Sequence, residues 1–237
     1  MSPERYAKLS AVLDNRQPDL TVLMEGIHKP HNLAAVARTA DAVGVGKLHA
    51  IFSDAKIGFG RVNPASGVRN YVAIQPHNNI AEAAATLKAK GMRLVVTALT
   101  GEAVDYREVD YTRPTAIVTG NELEGISEEA IALADEVVHI PMVGAVQSLN
   151  VSVAAALMLF EAQAQREKAG LYGGCKIAPQ RREELLFQWL HPKVADYCRR
   201  KKMPYPAMDE QGFIAEKLVD RAERAESLAS FNTRMGL

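Results

Sequence analysis

The chain has 237 residues, 48% of them hydrophobic and 24% charged, with 28 Lys and Arg against 28 Asp and Glu. That length buries a sizeable core without a metal or disulfide staple, and the composition excludes fibrous and disordered classes. The neutral total conceals an asymmetry: residues 162–206 hold ten Lys and Arg against four acids, while residues 101–140 hold ten acids against Arg107 and Arg113. A basic segment on a neutral protein points to an anionic partner approached from one side, or else to a solvated helical face.

In chain order, Tyr6, Leu9, Val12 and Leu13 predict an amphipathic helix over 3–16. LTVLMEGI (20–27) reads as a buried strand, and a helix follows from about Asn32, closed by Gly44 and Gly46. LHAIFS (48–53) is a second strand, followed by a Gly- and Asn-rich stretch to about Asn70; NNIAEAAATLKAKG is a helix stopped by Gly91. MRLVVTAL (92–99), PTAIVTG (114–120) and EVVHIP (136–141) are further strands, with a short helix at 127–135 and a long one from about Ser148 to Lys168. Strands alternating with helices predict an α/β domain with a mainly parallel sheet, its continuous apolar strands buried on both faces. Beyond KAGLYGGCK only helical patterns follow: PQRREELLFQWLHPK, VADYCRRKK and AEKLVDRAERAESLASF. The expected division is therefore a helical extension over 1–18, a core over 19–168 and a basic helical extension over 169–237.

Cys175 and Cys198 form no CxxC pair and sit apart from any His and Asp cluster, which predicts a reduced cytoplasmic protein without a metal site. MSPERYAKLSAVLDNRQPDL has no continuous apolar segment and is not read as a secretory signal. The longest apolar run, residues 153–160, is far short of the ~20 residues of a membrane span, so a soluble protein is expected.

Three stretches combine a strand end with a helix start, where open α/β sheets bind ligands. In the first, Asn32 stands six residues ahead of Arg38; Asn32 alone reads as a cap, but an Arg among Ala35, Val36, Ala37 and Ala40 calls for an anion. In the second, TGNELEGIS, glycines bracket Glu122, so that backbone can approach a ligand closely; a plain turn with Ser127 as a helix cap is the other reading. In the third, IPMVGAVQSLNVSVAAAL, a loop of small residues precedes Ser148 and Asn150. Such a loop recognises a ligand by backbone groups and apolar contact, which suits an adenosine better than a triphosphate. No GxGxxG follows the first strand, which argues against a dinucleotide enzyme.

Together HNLAAVARTADAVG, TGNELEGIS and IPMVGAVQSLNVSVAAAL resemble the three signature motifs of the SpoU/TrmH branch of the SPOUT methyltransferases, in the same order and at strand ends. The flanks RYAKLSAVLDNRQPDLTVLMEGIHKPHN, PYP and GF resemble those of its tRNA guanosine-2′-O-methyltransferases. The resemblance implies a SPOUT-type sheet with a C-terminal trefoil knot, which periodicity alone would not predict since knots are nearly absent from folds. It implies S-adenosylmethionine as cofactor, held by Thr97, Leu99, Thr119, Gly120, Asn121, Gly125, Ile140, Pro141, Met142, Ser148 and Leu149. It also implies a homodimer, with no further protein partner, and as substrate the ribose of guanosine 18 in the D-loop of tRNA.

Matched onto the motifs, Arg38 takes the place of the family's catalytic arginine, with Asn32, Glu122, Ser148 and Asn150 as the other catalytic residues. Leu33 stands where glycine is common and Phe160 where tyrosine is frequent. A guanidinium is always protonated, so the first role expected of Arg38 is to bind a phosphate and polarise the hydroxyl. Arg5, Lys8, Arg166, Lys193, Arg199, Arg200, Lys201 and Lys202 are expected to contact tRNA phosphates. Two alternatives stay open: a ribosomal RNA methyltransferase, against which the short flanks argue, and an RNA-binding module of the same fold without catalysis.

Overall fold

The computed structural model describes residues 2–53, 70–121 and 123–215. Among these residues seven strands form one sheet: β1 (Leu20–Ile27), β2 (Lys47–Phe52), β3 (Ala73–His77), β4 (Arg93–Thr97), β5 (Val104–Asp105), β6 (Thr115–Thr119) and β7 (Glu136–His139). Their order is β3-β2-β1-β6-β4-β7-β5, and each neighbouring pair is parallel. The helices are α1 (Pro3–Asp14), α2 (Pro30–Ala42), α3 (Ile80–Lys88), α4 (Glu128–Ala132), α5 (Val151–Lys168), α6 (Pro179–Leu190) and α7 (Pro192–Lys201).

Side chains alternate across the sheet, which explains the unbroken apolar runs of the central strands. Val22 and Met24 of β1, Val95 of β4 and Ile117 of β6 join Val36, Leu159 and Ala162 of α2 and α5 in one core cluster. Leu23, Leu94, Val96, Ala116 and Val118 point the other way and pack with Ala83 and Leu87 of α3 and Ala130 of α4. The central strands therefore form a middle layer with both faces covered, while the edge strands β3 and β5 carry exposed residues.

Two strands, β3 and β5, have no counterpart in the sequence pattern. β3 is an edge strand carrying Pro76, a residue that fits only where one side of the ladder is open, and β5 is two residues long. Asn32 does not cap α2. The helix starts at Pro30, whose missing N–H and fixed φ suit a first turn, so Asn32 lies inside the helix and is buried. Likewise α5 starts at Val151 with Asn150 as its cap, accepting the Ser152 N–H at 2.9 Å, and Ser148 precedes it. Most of AEKLVDRAERAESLASF, from residue 216 on, lies outside the described residues.

The described residues gather into two units, one within Val12–Ile177 and one combining the start of α1 with the chain from Ala178. The first holds the whole sheet. In the second, Arg5 Nη2 donates to the Trp189 carbonyl at 3.2 Å, Arg182 donates to Ser10 Oγ, and Phe187 stacks on Tyr205 with ring centroids 4.8 Å apart. These contacts attach the residues before Val12 to α6, whereas the rest of the expected N-terminal extension and residues 169–177 belong to the unit with the sheet. Among the described residues no helix is long and apolar enough to cross a membrane.

Candidate active site

At the carboxyl ends of β4, β6 and β7 lies a cavity of about 380 Å³. Its walls are Thr97–Thr100 after β4, Thr119–Asn121 and Gly125–Ile126 after β6, Val138–Ile140 and Met142 at β7, and Gln147–Leu149 before α5. Among the described residues no charged side chain lines it. Polar contacts are left to backbone groups, to small hydroxyls and amides, and to His139, whose Nδ1 donates to the Ala103 carbonyl at 3.0 Å. The Thr119 hydroxyl is buried at this wall without a partner among the described residues, while Thr97 Oγ1 donates to the Val118 carbonyl at 3.1 Å.

The loop after β6 folds back on itself. Asn121 and Gly125 exchange both backbone hydrogen bonds, at 2.9 and 3.1 Å, and Asn121 Oδ1 accepts the N–H groups of Leu123 and Glu124. A Cβ on Gly120 would run into the Gly125 carbonyl oxygen, which fixes glycine there by space rather than by φ. Glu122 lies outside the described residues.

Of the residues expected to hold the cofactor, Thr97, Leu99, Thr119, Gly120, Asn121, Gly125, Ile140, Met142, Ser148 and Leu149 line this cavity. Pro141 lines instead a neighbouring hollow with Tyr106, Arg107, Val143 and Leu157. There Arg107 Nε donates to Asp105 Oδ1 at 2.9 Å, and this hydrogen bonding holds the Asp105 carboxyl down at about 2. The wall also contains His139, Gln147 and Thr100, which sequence reasoning missed. His139 had a usable signal, since it stands at the end of a strand directly before the third motif.

Among the residues expected to be catalytic, Asn32 and Asn150 meet, with Asn150 Nδ2 donating to Asn32 Oδ1 at 3.5 Å. Ser148 is exposed at the cavity wall. Arg38 is on the exposed side of α2, not on the apolar face formed by Leu33, Val36, Ala37 and Ala40. An anion demanded by burial is therefore not the reason for this arginine.

Arg166 corrects the expected tRNA surface. Its side chain is fully buried: Nη1 donates to Asp19 Oδ1 at 2.7 Å and Gln17 Oε1 at 3.0 Å, Nε to the Tyr111 carbonyl, and Nη2 to the Arg113 carbonyl. It anchors the end of α5 beneath the sheet and cannot reach a phosphate. Arg5, Lys8, Lys193, Arg199, Arg200, Lys201 and Lys202 are exposed. Asp196 is shared at 3.5 Å by Arg199 and Arg200, leaving the end of α7 strongly positive.

Residues 19–160 match the model of the SpoU rRNA Methylase family, and residues 164–217 match that of the SpoU rRNA methylase C-terminal region. The chain belongs to the SpoU family. It is 48% identical over 216 residues to the tRNA (guanosine(18)-2′-O)-methyltransferase of Escherichia coli K12, covering 90% of this chain and 94% of that one. Among solved structures, the Aquifex aeolicus TrmH/SpoU tRNA modifying enzyme is 39% identical and superposes with a TM-score of 0.74, over 81% of this chain and 97% of its own. The SpoU methyltransferase AviRb of Streptomyces viridochromogenes, solved with AdoMet, is 30% identical with a TM-score of 0.58, over 65% of this chain and 62% of its own.

Proposed function

We propose that this protein methylates the ribose 2′-oxygen of guanosine 18 in tRNA, using S-adenosylmethionine. The observation that carries this reading is the likeness to the E. coli enzyme along nearly the full length of both chains, which reaches beyond the core into the segments expected to dock RNA.

The cavity fits the cofactor chemically. A volume of about 380 Å³ without a charged wall among the described residues accepts an adenosine and a sulfonium, and disfavours a di- or triphosphate. Thr97, Leu99, Thr119–Asn121, Gly125, Ile140, Met142, Ser148 and Leu149 would hold it, with the Thr119 hydroxyl, which has no partner among the described residues, available for a hydrogen bond. When bound, S-adenosylmethionine supplies a methyl group already activated by its sulfonium.

What remains for this chain is to align the ribose oxygen and take or share its proton. Arg38 binds the adjoining phosphate and polarises the 2′-hydroxyl, whose proton passes to solvent water as the oxygen accepts the methyl group. Asn32 and Asn150 orient the nucleotide from the start of α2 and α5, with Ser148 and Glu122 completing the set. The positive end of α7, with Arg5 and Lys8, docks the tRNA backbone without reading sequence.

The same reading includes a homodimer and a knotted C-terminal region of the core. Val153, Leu157 and Phe160 recur at helical spacing on α5 and are 46%, 37% and 52% exposed, and Val143 and Val146 are exposed just before them. A stripe of that kind supports burial against a second copy. The protein works in the cytoplasm, where precursor tRNA is found.

A tRNA transcript with guanosine 18 replaced by 2′-deoxyguanosine tests the assignment. It is expected to bind and accept no methyl group; methylation equal to that of the all-ribose transcript refutes the site.

A further inference from the structure

We propose that Glu25 is a positioning residue, a clamp whose carboxylate holds the loop after β6 against the end of β1 and so sets the wall of the cofactor cavity; the inference rests on the cofactor reading above.

β1 stays in register with β6 as far as the Met24–Thr119 pair, and its register with β2 shifts between Met24 and Ile27. In that irregular stretch Glu25 reaches a residue 102 positions further along the chain. Its Oε2 accepts the Ser127 N–H at 3.0 Å and its Oε1 accepts the Ser127 hydroxyl at 2.8 Å. With its proton committed to Glu25, Ser127 Oγ accepts the Ala130 N–H at 3.1 Å and caps α4. The next residue, Gly26, has φ +64°, and a Cβ there would lie 2.6 Å from Asn121 Nδ2. The end of β1 thus touches both ends of the loop, with Gly26 beside Asn121 and Glu25 gripping Ser127.

The loop's internal bonds, from Asn121 to Leu123, Glu124 and Gly125, fix its shape but not its place against the sheet. The two bonds to Glu25 supply that place. Gly120, Asn121, Gly125 and Ile126 all wall the cavity and travel with the loop, so releasing Ser127 alters the cavity without disturbing the core. Bonds accepted by a carboxylate are among the stronger ones, and two on one residue add direction. A glutamine can replace both geometrically, accepting from the N–H and donating to the hydroxyl, so a clamp tolerates Glu25→Gln and a requirement for charge does not.

The test compares full-length wild type, Glu25→Ala and Glu25→Gln by amide hydrogen exchange without cofactor and by calorimetric titration with S-adenosylmethionine. In Glu25→Ala, exchange over residues 123–127 should rise about tenfold or more, with exchange in β2 and β3 unchanged, and the Kd should rise by a similar factor, as expected for losing charge-assisted bonds. Glu25→Gln should stay within about threefold of wild type in both readouts. Unchanged loop exchange in Glu25→Ala, exchange raised equally across the sheet, or a Glu25→Gln protein as defective as Glu25→Ala each overturns the clamp. A wild type that binds no S-adenosylmethionine overturns the cofactor reading instead, and the loop exchange still decides the clamp.

Discussion

At the scale of single residues, two arginines on neighbouring helices show how burial divides labour between identical side chains. Arg38 is exposed on α2, and Arg166 is fully buried on α5 with Asp19 as its ion-pair partner. Arg38→Lys keeps the charge and loses the planar fork, so turnover should fall about tenfold or more while S-adenosylmethionine binds as before. Steady-state kinetics beside calorimetry checks this; near-normal turnover refutes the role. Arg166→Ala strips Asp19 of its ion-pair partner and the Tyr111 carbonyl of its donor and should cost about 3 kcal/mol, read by urea unfolding, because the guanidinium end of the pair is fully buried. A count of basic residues is blind to this difference. The signal was nonetheless present, since Arg166 follows Ala155, Leu159 and Ala162 at helical spacing and so falls on the core stripe of α5. Most cavity-wall residues were legible only through likeness to family motifs, because a wall built of backbone and small side chains leaves no spacing of its own.

At the scale of elements, the central strands were readable because burial on both faces leaves continuous apolar runs, whereas β3 and β5 sit at the sheet edges, where that pressure is absent. Two helix starts differ from the capping pattern: Pro30, not Asn32, opens α2, and of Ser148 and Asn150 it is the Asn150 side chain that caps α5. The basic end of α7 is an element whose function is testable as a unit. Replacing Arg199, Arg200, Lys201 and Lys202 by alanine should raise the KM for tRNA and leave kcat unchanged. The slope of log KM against log salt should flatten by up to about 0.9 for each phosphate that is no longer neutralised. An unchanged KM would make α7 merely a solvated face.

For the whole molecule, the sheet carries an acid-sensitive histidine, His49, beside its edge strand. His49 Nδ1 and His77 Nε2 lie 2.7 Å apart, their rings stacked with centroids at 5.0 Å, and His77 Nδ1 is 3.3 Å from Glu82. Burial first, then the nearby His77, Lys90 and Lys47, lowers the His49 pKa to about 3. The folded state therefore favours neutral His49, and the unfolded chain takes up the extra proton as pH falls below its ordinary value near 6.5. Stability is fully present above that value and lost as pH falls towards about 3, with a slope of up to about 1.4 kcal/mol per pH unit. Hydrogen bonds from Asn78 lower the Glu82 pKa, which adds to the loss only below the ordinary carboxylate range. Urea unfolding at pH 7, 6 and 5 should show the fall in the wild type and a shallower one in His49→Gln; parallel curves would remove His49 as its source.

The most direct measurement for the whole account is transfer of labelled methyl from S-adenosylmethionine to an unmodified tRNA transcript, with the product nucleotide identified and mapped after digestion. The account predicts 2′-O-methylguanosine at position 18 and nowhere else. Label at another nucleotide, or none at all from a protein that binds the cofactor, would contradict it.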